Sequence, residues 1–278
     1  MAAKVIYWLG EKRFVKISGN GTAYELTGSE NAPVVVLIHG IGLNRHLWAD
    51  YVPALSVAYR VLNYDLFGYG DSRHPEQELS LSLLADQLCE LLDELKIESC
   101  AIVGFSLGGM INRRFAMDYP ARCWALVVLC SPHERSAEAQ QLVEDRLRQT
   151  QTGGSAATLK ASLQRWFTKD FLATEVEIID RVSGWVLAAD PRIFSESRYI
   201  LARGVRELLR PEPPLVLSTL VMTCELDSGS TPEMSFAIAA EIAGSKTAIV
   251  PDLQHLGMLE QPELFIEPIR AFLMSVRE

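Results

Sequence analysis

Residues 101–119 read Ala-Ile-Val-Gly-Phe-Ser-Leu-Gly-Gly-Met-Ile-Asn-Arg-Arg-Phe-Ala-Met-Asp-Tyr. An apolar run, Ala101 to Phe105, gives way at Ser106 to a helical pattern, Leu107 to Tyr119. At the junction stands Gly104-Phe105-Ser106-Leu107-Gly108, a G-x-S-x-G. Buried strand, tight turn and helix in that order predict a nucleophile elbow, which presents Ser106 Oγ at the carboxyl edge of a sheet beside a helix N-terminus. Glycines flank the serine because such a turn crowds the backbone and a missing Cβ relieves the contact. A glycine-rich turn with Ser106 as a plain N-cap is the bland alternative.

Working outward, solid apolar runs without polar alternation recur at Val34 to Ile38, Ala125 to Cys130, Leu215 to Met222 and Thr247 to Val250. Such runs suit strands covered on both faces, as in a parallel sheet. Helical patterns separate them at Leu79 to Leu95, Pro232 to Ile242 and Pro262 to Val276. The alternation predicts an α/β fold with a doubly wound, mostly parallel sheet. Residues 13–18 and 22–27 flank Gly19-Asn20-Gly21 and read as a hairpin. From about His133 to Pro214 the alternation stops and the chain reads as helices only, closing on Pro211-Glu212-Pro213-Pro214. The expectation is a core of residues 1–132 and 213–278, with 133–212 inserted as a helical cap.

The chain has 278 residues, with 26 basic and 35 acidic side chains and a net charge of −9. Residues 131–212 hold 12 of each sign, so the whole excess lies in the sheet portion. That balance argues against nucleic acid or an anionic membrane as partner, since both need a basic footprint. Five scattered cysteines, Cys89, Cys100, Cys123, Cys130 and Cys224, lack CxxC spacing and fit a reducing cytoplasm. No run of 18 apolar residues exists, and Met1 to Gly10 lacks a leader pattern.

A serine needs a base, and the base needs an acid to hold its tautomer. Of His39, His46, His74, His133 and His255, the last is the preferred base, because it follows the final strand in a loop that can turn back over Ser106. His39 precedes Gly40 and reads as a support of that turn, whereas His46 and His74 lie in polar loop sequence. The strand ending Thr223-Cys224-Glu225-Leu226-Asp227 offers the acid, with Asp227 first and Glu225 as fallback. The order Ser106, Asp227, His255 is the one expected of an α/β-hydrolase. Leu107 N–H and a donor from His39-Gly40-Ile41-Gly42, Ile41 before Gly42, would form the oxyanion hole.

These motifs together resemble the α/β-hydrolase superfamily, in the subgroup with a helical cap. The resemblance covers nearly all of the chain and includes Asp65-Leu66-Phe67-Gly68-Tyr69-Gly70-Asp71-Ser72, similar to the family's D-x-x-G-x-G-x-S loop. There Asp65 and Ser72 are read as loop supports. Cys224 departs from the glycine common at that place. The resemblance implies an eight-stranded sheet, and the overall pattern is similar to 3-oxoadipate enol-lactonases, esterases and C–C bond hydrolases. Haloalkane dehalogenases and epoxide hydrolases resemble the chain elsewhere but carry an aspartate where Ser106 stands.

The expected chemistry is therefore cleavage of a small or medium ester or lactone through an acyl-enzyme, with C–C or amide hydrolysis as alternatives. A non-catalytic ligand-binding protein of this fold is the alternative of another class. Candidate pocket walls are Gly42, Trp166, Phe167, Trp185, Phe194 and Tyr199; Arg165, Arg192, Arg198 and Arg203 are candidates for a substrate carboxylate, as an enol-lactone would require. No metal cluster or dinucleotide fingerprint stands in a supporting context, so no cofactor is expected. The expected partner is a small acyl molecule, and a homodimer is the mild expectation for assembly.

Overall fold

The apolar runs form the middle of one sheet in a computed structural model that describes residues 4–8 and 11–277. Of the stretch Met1 to Gly10 read for a leader, residues 1–3, 9 and 10 lie outside the described residues. The strands are β1 (Lys4–Trp8), β2 (Glu11–Ile17), β3 (Ala23–Thr27), β4 (Val34–Ile38), β5 (Arg60–Tyr64), β6 (Cys100–Phe105), β7 (Cys123–Leu129), β8 (Leu215–Val216), β9 (Thr219–Cys224), β10 (Ile242–Ala243) and β11 (Lys246–Val250). Nine of them lie in the order β1-β2-β3-β5-β4-β6-β7-β9-β11, while β8 and β10 pair separately. The expected eight strands run from β2 to β11 in that order, and β1 extends the antiparallel edge as a ninth. From β5 to β11 every pairing is parallel.

Two strand expectations change. The run Leu215 to Met222 divides into β8 and β9, with Leu217 and Ser218 between them. Strand β5 was not visible as an apolar run because Arg60 and Asn63 interrupt it. Asn63 is buried and donates its amide to Arg45 O at 2.9 Å, while its Oδ1 has no partner among the described residues.

Helices α1 (Tyr51–Ser56), α2 (Leu81–Glu94), α3 (Leu107–Asp118), α9 (Pro232–Ala240), α10 (Gly257–Glu260) and α11 (Glu263–Ser275) accompany the sheet. Ser80 caps α2 by accepting from Leu83 N–H, and Thr231 with Pro232 opens α9 in the same manner. The chain steps from β4 through α1 to β5 on one side, then through α2 to β6 on the other side of β4. Right-handed crossovers in opposite directions place α1 and α2 on opposite faces. They also leave a crevice at the carboxyl ends of β4 and β6, the usual ligand site of an open α/β sheet.

Between β7 and β8 lie five helices, α4 (Ala137–Gly153), α5 (Ala156–Trp166), α6 (Lys169–Thr174), α7 (Val176–Ala188) and α8 (Pro191–Arg203). No strand interrupts residues 137–208. This segment is seated over that crevice. Phe194 and Val186 pack on Gly42 after β4, and Ile193 packs on Gly68 after β5. Tyr69 Oη donates to Ser197 Oγ at 2.9 Å, and Thr168 Oγ1 donates to Glu260 at 2.6 Å.

Candidate active site

The turn between β6 and α3 is as tight as its glycines imply. Ser106 has φ 56° and ψ −110°, a conformation that L-residues rarely adopt and that a surrounding structure must hold in place. Its N–H donates to Leu129 O at 2.8 Å, carrying the β6–β7 pairing into the turn, and Ser131 Oγ donates to Ser106 O at 3.0 Å. A Cβ on Gly104 would come within 2.2 Å of Gly108 O, and one on Gly108 within 2.2 Å of Ile38 O. Only glycine lets α3 start that close to β4.

Histidine 255 reaches back over the serine. Its Nε2 stands 3.1 Å from Ser106 Oγ, and its Nδ1 stands 2.6 Å from Asp227 Oδ2. The other Asp227 oxygen accepts N–H from Gly229 at 2.8 Å and Ser230 at 3.0 Å, and lies 3.9 Å from Arg165 Nη1. Burial opposes ionisation of Asp227, but His255, Arg165 and the Gly229 N–H together hold its carboxyl below the ordinary range. Burial lowers His255; Asp227 pushes it up, Arg165 and Arg198 push it down, and it stays below its ordinary value. An uncharged imidazole follows at neutral pH, with Nδ1–H donated to Asp227 and Nε2 free to accept from Ser106.

The structure separates the other candidates. Glu225 is exposed and its carboxylate accepts Asp252 N–H at 3.2 Å, away from His255. His39 is fully buried, with Nδ1 on Gly40 O at 2.8 Å and Nε2 accepting Leu66 N–H at 3.0 Å. Burial lowers it to about 4, so it is a neutral brace for the turn. His133 lies 3.3 Å from Glu241, and His74 is largely exposed near Asp190. Asp65 is buried against Arg45 and accepts Asp71 N–H at 2.9 Å; Ser72 Oγ donates to Asp65 O at 2.7 Å. Cys224 closes the acid loop through its carbonyl, which accepts Asp227 N–H at 3.1 Å, while its thiol sits against Cys130 and Gly257.

Two backbone donors lie where an oxyanion would need them in sequence. Neither Ile41 N–H nor Leu107 N–H has a protein acceptor among the described residues. Gly42, at φ 71°, lies under Phe194. The pocket above Ser106 holds about 520 Å³ of atom-free space, part of it open to solvent. Ile41, Ser106, His255 and Trp166 line it. Trp185 instead packs beneath the Arg181 guanidinium, Phe167 stacks on Phe171, and Tyr199 is half exposed under Arg203. Arg192 binds Pro75 O at 2.9 Å outside the pocket.

Arg165 and Arg198 face the pocket, and so do Arg135 and Arg146, which the sequence reading did not single out. A signal was available for one of them. Arg146 falls on the same face of α4 as Val143, Leu147 and Thr150, and the last two are buried. A cation on the buried stripe of a helix is either paired or aimed at something.

Residues 35–267 match a family model described as the alpha/beta hydrolase family. The 3-oxoadipate enol-lactonase 1 of Acinetobacter baylyi is 25% identical over 264 residues, covering 93% of this chain and 95% of that protein. The (E)-2-((N-methylformamido)methylene)succinate hydrolase of the same species is 25% identical over 268 residues, with coverage of 93% and 97%. Among solved structures, the enol-lactonase from Burkholderia xenovorans LB400 aligns at a TM-score of 0.83 and 28% identity, over 92% of this chain and 98% of that one. The chain belongs to the α/β hydrolase family.

Proposed function

We propose that this α/β hydrolase is a serine hydrolase that cleaves a small or medium ester or lactone through an acyl-enzyme. The observation that carries the reading is the hydrogen-bonded file of Ser106 Oγ, His255 and Asp227, at 3.1 and 2.6 Å. A hydroxyl, a neutral imidazole and a buried carboxylate in that arrangement have one obvious chemistry.

Ser106 Oγ attacks the substrate carbonyl while His255 Nε2 takes its proton. Asp227 accepts from Nδ1–H throughout and stabilises the imidazolium without taking the proton itself. Its other oxygen is occupied by the Gly229 and Ser230 N–H groups, which keeps it ionised. Ile41 and Leu107 N–H receive the negative charge that develops on the carbonyl oxygen. The tetrahedral adduct collapses, and His255 returns the proton to the departing alkoxide. Water then gives its proton to His255 and attacks the acyl-enzyme, and the proton passes back to Ser106 as the acid leaves. In a lactone the departing alkoxide remains part of the acyl group, so the same steps open a ring.

The helical segment 133–212 acts as a cap that supplies one wall of the pocket, a role supported by Trp166 lining it beside Ser106. The relatives are named for an enol-lactone and for a succinate derivative, which supports a carbonyl compound carrying carboxylate. A cytoplasmic setting fits the five free cysteines. The test is hydrolysis of p-nitrophenyl acetate by wild type and by Ser106→Ala, with labelling of Ser106 by a fluorophosphonate. Equal hydrolysis by both proteins, or no label on Ser106, would remove the nucleophile from this account.

A further inference from the structure

Four arginines, from the chain just after β7 and from three helices, converge on the pocket above Ser106. Arg135 precedes α4, Arg146 lies within it, Arg165 ends α5 next to Trp166, and Arg198 lies in α8. Among the described residues no carboxylate side chain lines the pocket. Arg165 has only the distant contact to Asp227 at 3.9 Å, and that aspartate is already engaged by His255 and two N–H groups. Among the described residues no carboxylate lies within ion-pair distance of Arg135, Arg146 or Arg198.

Arg198 makes the case sharpest. It is 6% exposed, its guanidinium meets only two hydroxyls, Thr158 Oγ1 at 3.5 Å and Ser162 Oγ at 3.4 Å, and its Nε has no partner. One side of its plane rests on the Phe194 ring at 5.2 Å. A buried cation left this way is costly, because burial removes water without supplying an anion. The cations also repel one another. Burial, with Arg146 and Arg165 beside it, brings Arg135 down to about 10; burial together with Arg165 and Arg146 brings Arg198 down to about 9. All still carry charge at neutral pH, so the pocket concentrates positive charge in a chain whose net charge is −9.

We infer that the substrate is an acyl compound bearing at least two carboxylates away from the scissile carbonyl, held by Arg135, Arg146 and Arg198. One carboxylate can satisfy one guanidinium bidentately and share a second, and three unmatched guanidiniums exceed that capacity. The assignment of a scissile carbonyl rests on the proposed serine hydrolase; the assignment of an anion pocket does not.

The experiment separates the two. Mono-p-nitrophenyl esters of acetate, succinate and tricarballylate carry zero, one and two free carboxylates. In wild type kcat/KM should rise by about tenfold with each carboxylate, the scale of a charge-assisted hydrogen bond. In Arg146→Gln and Arg198→Gln the ratio of tricarballylate ester to acetate ester should fall by about tenfold or more. Arg192→Gln, outside the pocket, should keep the wild-type ratio. Arg146 is only partly buried, which guards against loss of the Arg198 variant to misfolding. Direct binding of tricarballylate and of inorganic phosphate to Ser106→Ala, by titration calorimetry, needs no turnover. A flat ratio with Ser106-dependent hydrolysis overturns the anion pocket and leaves the hydrolase. Tricarballylate binding that Arg198→Gln abolishes, without hydrolysis of any ester, keeps the pocket and discards the hydrolase. Phosphate binding alone overturns the carboxylate assignment, and binding of neither anion overturns the inference.

Discussion

Arg165 Nη1 stands 3.9 Å from Asp227 Oδ1, so an arginine of the helical segment reaches the carboxylate that orients His255. The contact is reinforced one residue on, where Trp166 O accepts Leu256 N–H at 2.8 Å, next to His255 itself. The helical segment and the histidine loop are thus fastened at the site and not only around it.

Burial at this junction, with Arg165 beside it, bears on the expected pH dependence. Burial lowers His255 below its ordinary 6.5, with Arg165 and Arg198 adding to the effect against the pull of Asp227. In the proposed mechanism the base form must be free, so activity should be lost as pH falls through the His255 value. The acid limb of kcat/KM on a neutral ester should therefore lie below 6.5. Removing a positive neighbour eases protonation, and Arg165→Gln should move the limb upward. A limb that stays put or moves down in a kcat/KM profile of that variant would contradict the electrostatic reading.

Asp227 and Glu225 are two residues apart and opposite in consequence. Asp227→Asn would present an amide where Nδ1–H needs an acceptor and should lower kcat by about 10⁴-fold, the scale seen when the acid of such a triad is neutralised. Glu225→Gln, at the exposed surface, should remain within about twofold of wild type. Steady-state kinetics on p-nitrophenyl acetate reads both.

Glycines in this chain divide by what a methyl group would meet. Gly108→Ala drives a Cβ to 2.2 Å from Ile38 O, between α3 and β4. It should cost about 2–3 kcal/mol of stability and misplace Ser106. Gly184 lies in α7 with nothing within 4 Å of an added Cβ. Gly184→Ala should raise stability by about 0.5–1 kcal/mol through the unfolded chain. Urea melts of the two variants should move in opposite directions.

Ser72 bridges two buried backbone groups, donating to Asp65 O at 2.7 Å and accepting Ala23 N–H at 2.9 Å. Ser72→Ala strands Ala23 N–H, while Asp65 O keeps Gln87 Nε2 at 3.0 Å, and should lose about 1–3 kcal/mol. Its KM on a neutral ester should hold, because the loop it supports lies outside the pocket. A raised KM with unchanged stability would mark Ser72 as a binding residue.

The core of the candidate site was legible because its parts obey local rules. G-x-S-x-G between an apolar run and a helical pattern specifies its own backbone, and Asp227 and His255 each follow a strand that the same periodicity reveals. Strand β5 was hidden since Asn63 is polar for the sake of Arg45 O, a partner 18 residues away. Pocket walls were harder for a related reason. Trp166 and Trp185 look alike in sequence, yet one lines the cavity and the other packs under Arg181, a choice made by how α5 and α7 meet. Arg192 and Arg203 were as basic as Arg198, but only Arg198 shares a helical face with buried Phe194 and Ser197.

Four guanidiniums around Ser106 would also govern how a cycle of the proposed hydrolysis ends. Hydrolysis converts a neutral ester into a further carboxylate, made at Ser106 within reach of Arg165. The departing acid would be one charge richer than the molecule that entered, and the proposed anion pocket should grip that product harder than the substrate. On the proposed chemistry escape should become the slow event of turnover, and salt, by loosening that grip, should speed turnover at saturation even as it weakens capture.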